Sequence, residues 1–242
     1  MKKFSILSFS ILFLGFVTCV SCGYLLSNLI VSSDLFQYAS TVSLEKQIVY
    51  AISMHSTSSK AELKTQKNTL QAQNGAGYVY EREGCCYLLA SIYENINDAE
   101  LVKNNLKTSG VESEIISIEL SSIKIEGNFS AEEKTILTNC LKANLTTFKD
   151  LYDIAVSLDT SVFDETKAKL ECNQVFSNIV SVKSNFETVF KSQASNQSIK
   201  NIQDYLNNIY NYLSNLISEN YETQAQTFSS LIKSTYCNIL LG

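Results

Sequence analysis

From Ser130 onward the apolar residues recur at steps of three and four, which confines the second half of the chain to amphipathic helices. Leu137, Leu141, Phe148, Leu151, Ala155 and Leu158 make one stripe, and Asp159-Thr160-Ser161 interrupts it. Cys172, Val175, Ile179, Val182, Phe186 and Val189 make a second, closed by a polar break over Ser195–Ser198. Ile199, Ile202, Leu206, Ile209, Leu213 and Leu216 make a third, and a weaker segment runs from Tyr221 to Leu241. The chain has no proline, which excludes a collagen-like or Pro-rich protein. Each stripe is short, about three heptads, so residues 130–242 read as an antiparallel bundle of three or four helices; the alternative is coiled-coil pairing with another chain.

Residues 48–126 mix strand and helix signals. Val49-Tyr50-Ala51-Ile52-Ser53-Met54 reads as a strand followed by a polar helix-like stretch, Ser58 to Ala72. Tyr87-Leu88-Leu89-Ala90-Ser91-Ile92-Tyr93 reads as a strand followed by a helix over Asn97–Ser109, with Gly110 as its C-cap. The two halves align at a shift of 38, which places Ser53 on Ser91 and Ala61-Glu62-Leu63 on Ala99-Glu100-Leu101. Each helix leads through glycine into a new strand, Tyr78–Tyr80 and Glu114–Leu120, and Gly84 punctuates the hairpin between the halves. The order is β-α-β-β-α-β: one antiparallel sheet, both helices on one face and the other face free. The fold class is therefore α+β.

Residues 4–33 carry no charge, and Lys2 and Lys3 precede them. That run is long enough to span a bilayer with tilt, so residues 1–33 read as an N-terminal transmembrane anchor and 34–47 as a spacer. A lipoprotein signal ending at Cys22 and a cleaved secretory signal are the competing readings. All three put the bulk of the chain outside the cytoplasm, as in a single-pass bacterial membrane protein with its N-terminus inside.

Charge narrows the chemistry. The formal net charge is −5 and Arg82 is the only arginine, so nucleic-acid binding is not expected. His55 is the single histidine, and no Cys-x-x-Cys occurs among Cys85, Cys86, Cys140, Cys172 and Cys237. A zinc or redox motif is unsupported, and no Cys-His pair or Ser-His-Asp set stands at a useful spacing, so no metal, cofactor or enzymatic activity is expected. Five is an odd number, so at least one thiol is left over even if the others pair; most of them read as small buried apolar side chains. Arg82, between Glu81 and Glu83, reads as a surface charge on the hairpin.

The internal repeat carries a resemblance. Leu88-Leu89-Ala90-Ser91-Ile92-Tyr93 followed by Ala99, Leu106 and Gly110 resembles the strand-helix pattern of the SPOR domain family, peptidoglycan-binding modules of bacterial envelope proteins. Tyr50-Ala51-Ile52-Ser53-Met54-His55 with Ala61 is similar, and Gly75-Ala76-Gly77-Tyr78-Val79-Tyr80 resembles the second strand of clostridial-type members. The resemblance covers residues 48–120. It implies a ferredoxin-like fold whose open sheet face binds glycan strands stripped of their stem peptides, at a division or sporulation septum. The positions it implicates are Ala51, Ser53, Met54, Tyr78, Tyr80, Tyr87, Leu89 and Ser91. The family's glutamine and serine fall on Ala51 and Met54, and in the second half on Leu89 and Ile92. Two expectations follow: a membrane-anchored peptidoglycan-binding protein, or a membrane-tethered scaffold that keeps the fold without glycan binding. In either, the C-terminal helices offer a surface for a partner or for self-association. The strand tyrosines stack on sugars in the first case and cover a half-buried sheet in the second.

Overall fold

The computed structural model describes residues 40–193, 196–218 and 226–242. The expected anchor over 1–33, with Cys19 and Cys22, lies outside these residues; among them no helix is long and apolar enough to cross a membrane. Of the described residues, Val42–Ile125 and Ala131–Gly242 form one compact unit, whereas Ser40, Thr41 and Glu126–Ser130 belong to a second. The molecule is α+β. Strand β1 (Ser40–Leu44) pairs with β6 (Ile123–Gly127) in a two-stranded sheet. Four strands make the larger sheet, in the order β3-β4-β2-β5: β2 (Gln47–Thr57), β3 (Tyr78–Arg82), β4 (Cys85–Tyr93) and β5 (Glu114–Leu120). All its pairings are antiparallel. Helix α1 (Leu63–Ala72) connects β2 to β3 and α2 (Ile96–Thr108) connects β4 to β5, which is the β-α-β-β-α-β order read from the repeat.

Local chemistry sets the punctuation. Glu83 and Gly84 both adopt positive φ, 54° and 79°, and Arg82 pairs with Cys85 across them. Two such residues in sequence make the tight turn whose twist matches that of its strands. Asn95 accepts from the Asn97 amide at 2.9 Å to start α2. At its other end Gly110, at φ 78°, lets its own N–H reach the Lys107 carbonyl and that of Val111 reach Leu106.

Among the described residues four more α-helices follow: α3 (Ala131–Asp159), α4 (Glu165–Val189), α5 (Gln197–Ser218) and α6 (Phe228–Leu241). Helix α3 packs on α4 and α6, α4 on α5, and α5 on α6, closing a four-helix ring. All six residues of the third stripe, Ile199 to Leu216, are buried in α5.

Three differences from the sequence reading matter. The spacer at 34–47 contains β1 and the start of β2; Val42 and Leu44 are buried, and so is Ile125 on the partner strand β6. A five-residue strand offers only two or three alternating apolar positions, too few to announce itself. The boundary at 126–130 marks a change of secondary structure, not of core, since the sheet and the helices share one compact unit. The second face of the sheet, expected to be free, is buried.

Candidate functional site

One sheet face receives α1 and α2. Leu63 and Leu70 of α1 pack with Cys86 and Leu88, and Ala99 of α2 packs with Ile52. The opposite face carries Val49, Ala51, Leu89, Ile92, Ile116 and Ile118, every one buried. Helix α6 packs on β3 and β4, and its Leu240 lines a hollow with Ile118 of that face. Its fully buried Tyr236 shares a 2.7 Å hydrogen bond with the buried Ser91 hydroxyl, at the point where Ser91 pairs with Ile52. The pairing of β2 with β4 shifts register around Ser53, a bulge opposite the Leu89–Ser91 stretch. Such an irregularity re-aims side chains locally. Tyr236 also meets Phe148 of α3 edge-on at 5.2 Å, and Tyr152 of α3 meets Tyr93 edge-on at 5.8 Å. The aromatic column thus runs from the sheet into the bundle.

The positions implicated in glycan contact divide sharply. Ala51 and Leu89 have no exposed surface; Ser53 is 1% exposed and donates to the His55 carbonyl. Ser91 is held by Tyr236. Met54 is half-buried and packs among the α1 and α2 contacts, on the other side of the sheet from Ala51. Tyr78, Tyr80 and Tyr87 are half-buried. Tyr80 and Tyr87 are neighbours, with ring centroids 6.5 Å apart. The structure therefore gathers Tyr80 and Tyr87 at the hairpin and places the other positions inside the protein or apart from them.

The sheet also curls. Arg82, in edge strand β3, donates from Nη1 to the Ser117 carbonyl of the opposite edge strand β5 at 2.9 Å. In a flat sheet those edges stand about 14 Å apart, three strand spacings, beyond the reach of an arginine. A cavity of about 340 Å³ is lined by Tyr80 of β3 and Ile118 of β5 together with Leu145 and Leu240 of the helices. Arg82 also lies over the Tyr87 ring, 5.8 Å from its centroid. The residue read as a plain surface charge is a tie between the two edges.

A polar clasp fixes the start of α6. Thr227 caps it, accepting from the Ser230 amide at 3.2 Å while its hydroxyl meets Asn74 Oδ1 at 2.6 Å. Lys233 donates to the Asn74 carbonyl at 2.8 Å and pairs with Asp159, which accepts from Ser229 at 2.6 Å. Apart from the Thr227 cap, these contacts join positions 70 or more apart, which the sequence does not bring together.

Burial governs the titrating groups. It pushes the Tyr236 phenol and the Cys237 thiol well above their ordinary values. It raises Tyr78 and Tyr152 to about 12, and likewise Cys140 and Cys172. Cys86, Cys140, Cys172 and Cys237 are buried free thiols and Cys85 is half-buried, as the sequence suggested. Groups held neutral in this way are packing elements, not nucleophiles. No family model, no curated protein and no solved structure matches the chain.

Proposed function

We propose that the protein is a membrane-tethered, non-catalytic scaffold of the bacterial envelope, built on a SPOR-like module whose sheet face is committed to the chain's own C-terminal helix. The observation that carries this reading is the seating of α6: Tyr236 reaches Ser91 in a buried hydrogen bond, beside a face that is apolar and closed. Glycan recognition needs hydrogen-bonding groups at the surface next to an aromatic platform. Here Ala51 and Leu89 stand buried at two such positions, and the serines are spent inside the protein. The uncharged run over 4–33 supports tethering. A scaffold needs a stable body and exposed surfaces rather than a reactive cleft, and a body closed by α6 is of that kind.

A second reading, binding of denuded glycan strands at a septum, is favoured by one feature, the half-exposed pair Tyr80 and Tyr87 at the hairpin. Co-sedimentation of the purified protein with peptidoglycan sacculi, intact and amidase-treated, separates the two. The scaffold reading expects no retention above a control protein on either preparation. Retention that rises on amidase-treated sacculi and falls in a Tyr80→Ala, Tyr87→Ala double variant establishes the glycan reading instead.

A further inference from the structure

The outer groove between α3 and α4 has an apolar floor and a charged rim. Ala143 and Thr147 of α3 and Val175 and Ile179 of α4 line a hollow of about 260 Å³, and each is buried. Lys142 and Asp150 line the same hollow from α3. They sit four residues to either side of the exposed Thr146, about 12 Å apart along the helix. Asp150 is half-buried, and no ion pair engages it or Lys142 among the described residues. Burial raises its pKa, with Asp153 adding to the effect, so this carboxylate lacks a compensating cation.

We infer that this groove is the interface of a symmetric dimer, in which α3 of one copy lies antiparallel to α3 of a second copy about a two-fold axis at Thr146. The charge pattern selects that occupant. An antiparallel two-fold operation centred on Thr146 carries position 142 of one copy onto the level of position 150 of the other, and the reverse. Each Lys142 then meets the partner copy's unpaired carboxylate, and the two pairs form at once. A parallel arrangement sets like charges level with each other. Thr146, short and exposed, lets the two helices approach closely at the axis. The surface is separate from the covered sheet face. The inference names a partner for the scaffold reading and rests on it only in that sense: sacculus binding tests that reading, and oligomeric state tests this one.

The experiment is sedimentation velocity of the full chain in detergent, with charge variants. The wild type should be a dimer. Lys142→Glu and Asp150→Lys should each raise the dimer dissociation constant about tenfold or more, because one substitution disrupts both symmetric pairs. The double variant Lys142→Glu, Asp150→Lys should restore the dimer, a rescue that a merely misfolded protein does not show. Under mild oxidation Thr146→Cys should cross-link two copies across the axis far faster than wild type does. A monomeric wild type overturns the inference, as does a dimer indifferent to both single substitutions or to Thr146→Cys oxidation.

Discussion

At the scale of single residues, Tyr236 and Ser91 are the pair on which the covered face turns. Tyr236→Phe removes one hydroxyl from a buried cluster in which Ser91 also meets the Tyr93 side chain. The expected loss is about 0.5–1.5 kcal/mol in urea unfolding, the net worth of one hydrogen bond. Ser91→Ala removes the same bond from its other end, so the double variant should lose less than the two single variants summed; a strictly additive double variant contradicts the pairing. The buried thiols make a second prediction. Burial raises Cys140 and Cys172 from 9.0 to about 12, so their contribution to stability is complete below the unfolded value near 9. As pH rises from about 9 toward 12 the unfolded chain ionises first, and stability should fall across that window. In native protein at pH 8, alkylation followed by mass spectrometry should label Cys85 first among the five described thiols and leave Cys140, Cys172 and Cys237 untouched. Early labelling of Cys237 contradicts its placement in the core.

At the scale of elements, α6 explains both what the sequence revealed and what it hid. The stripes of α3, α4 and α5 were legible because each helix has one buried face and one wet face, so burial shows as a period. Helix α6 is apolar on nearly every side: Phe228, Leu231, Ile232, Tyr236, Ile239 and Leu240 are all buried, and its packing touches α3, α5, β3 and β4. A helix enclosed all round has no period to detect, and so the segment that matters most read as the weakest. The repeat in turn was legible because each half restates the same strand, helix and glycine. What covered the sheet's second face was not, since that depends on contacts between positions 91 and 236. Arg82 belongs to this scale too, as the tie between edge strands β3 and β5. Arg82→Ala should lower stability by about 1 kcal/mol in urea unfolding. Arg82→Lys, which lacks the planar fork and holds its charge elsewhere, should not restore it fully. Wild-type stability in Arg82→Ala means the tie is idle.

At the scale of the whole molecule, the α/β module and the helices share one core and should behave as one folding unit. Tyr236, Phe148, Tyr152 and Tyr93 link sheet to bundle without a break, and Lys233, Asp159 and Asn74 clasp the outside of the same junction. On the proposed scaffold reading the sheet depends on α6 as its lid. Native-state amide hydrogen exchange reads that dependence directly. Amides of β2 and β4 around Ala51 and Leu89 should exchange at the same slow rate as those of α6 around Ile232 and Tyr236, and in Tyr236→Asp both sets should speed up together. If α6 exchanges rapidly while β2 and β4 stay protected, or if Tyr236→Asp leaves the strands unchanged, the sheet does not depend on α6 and its second face is not committed to the chain's own helix.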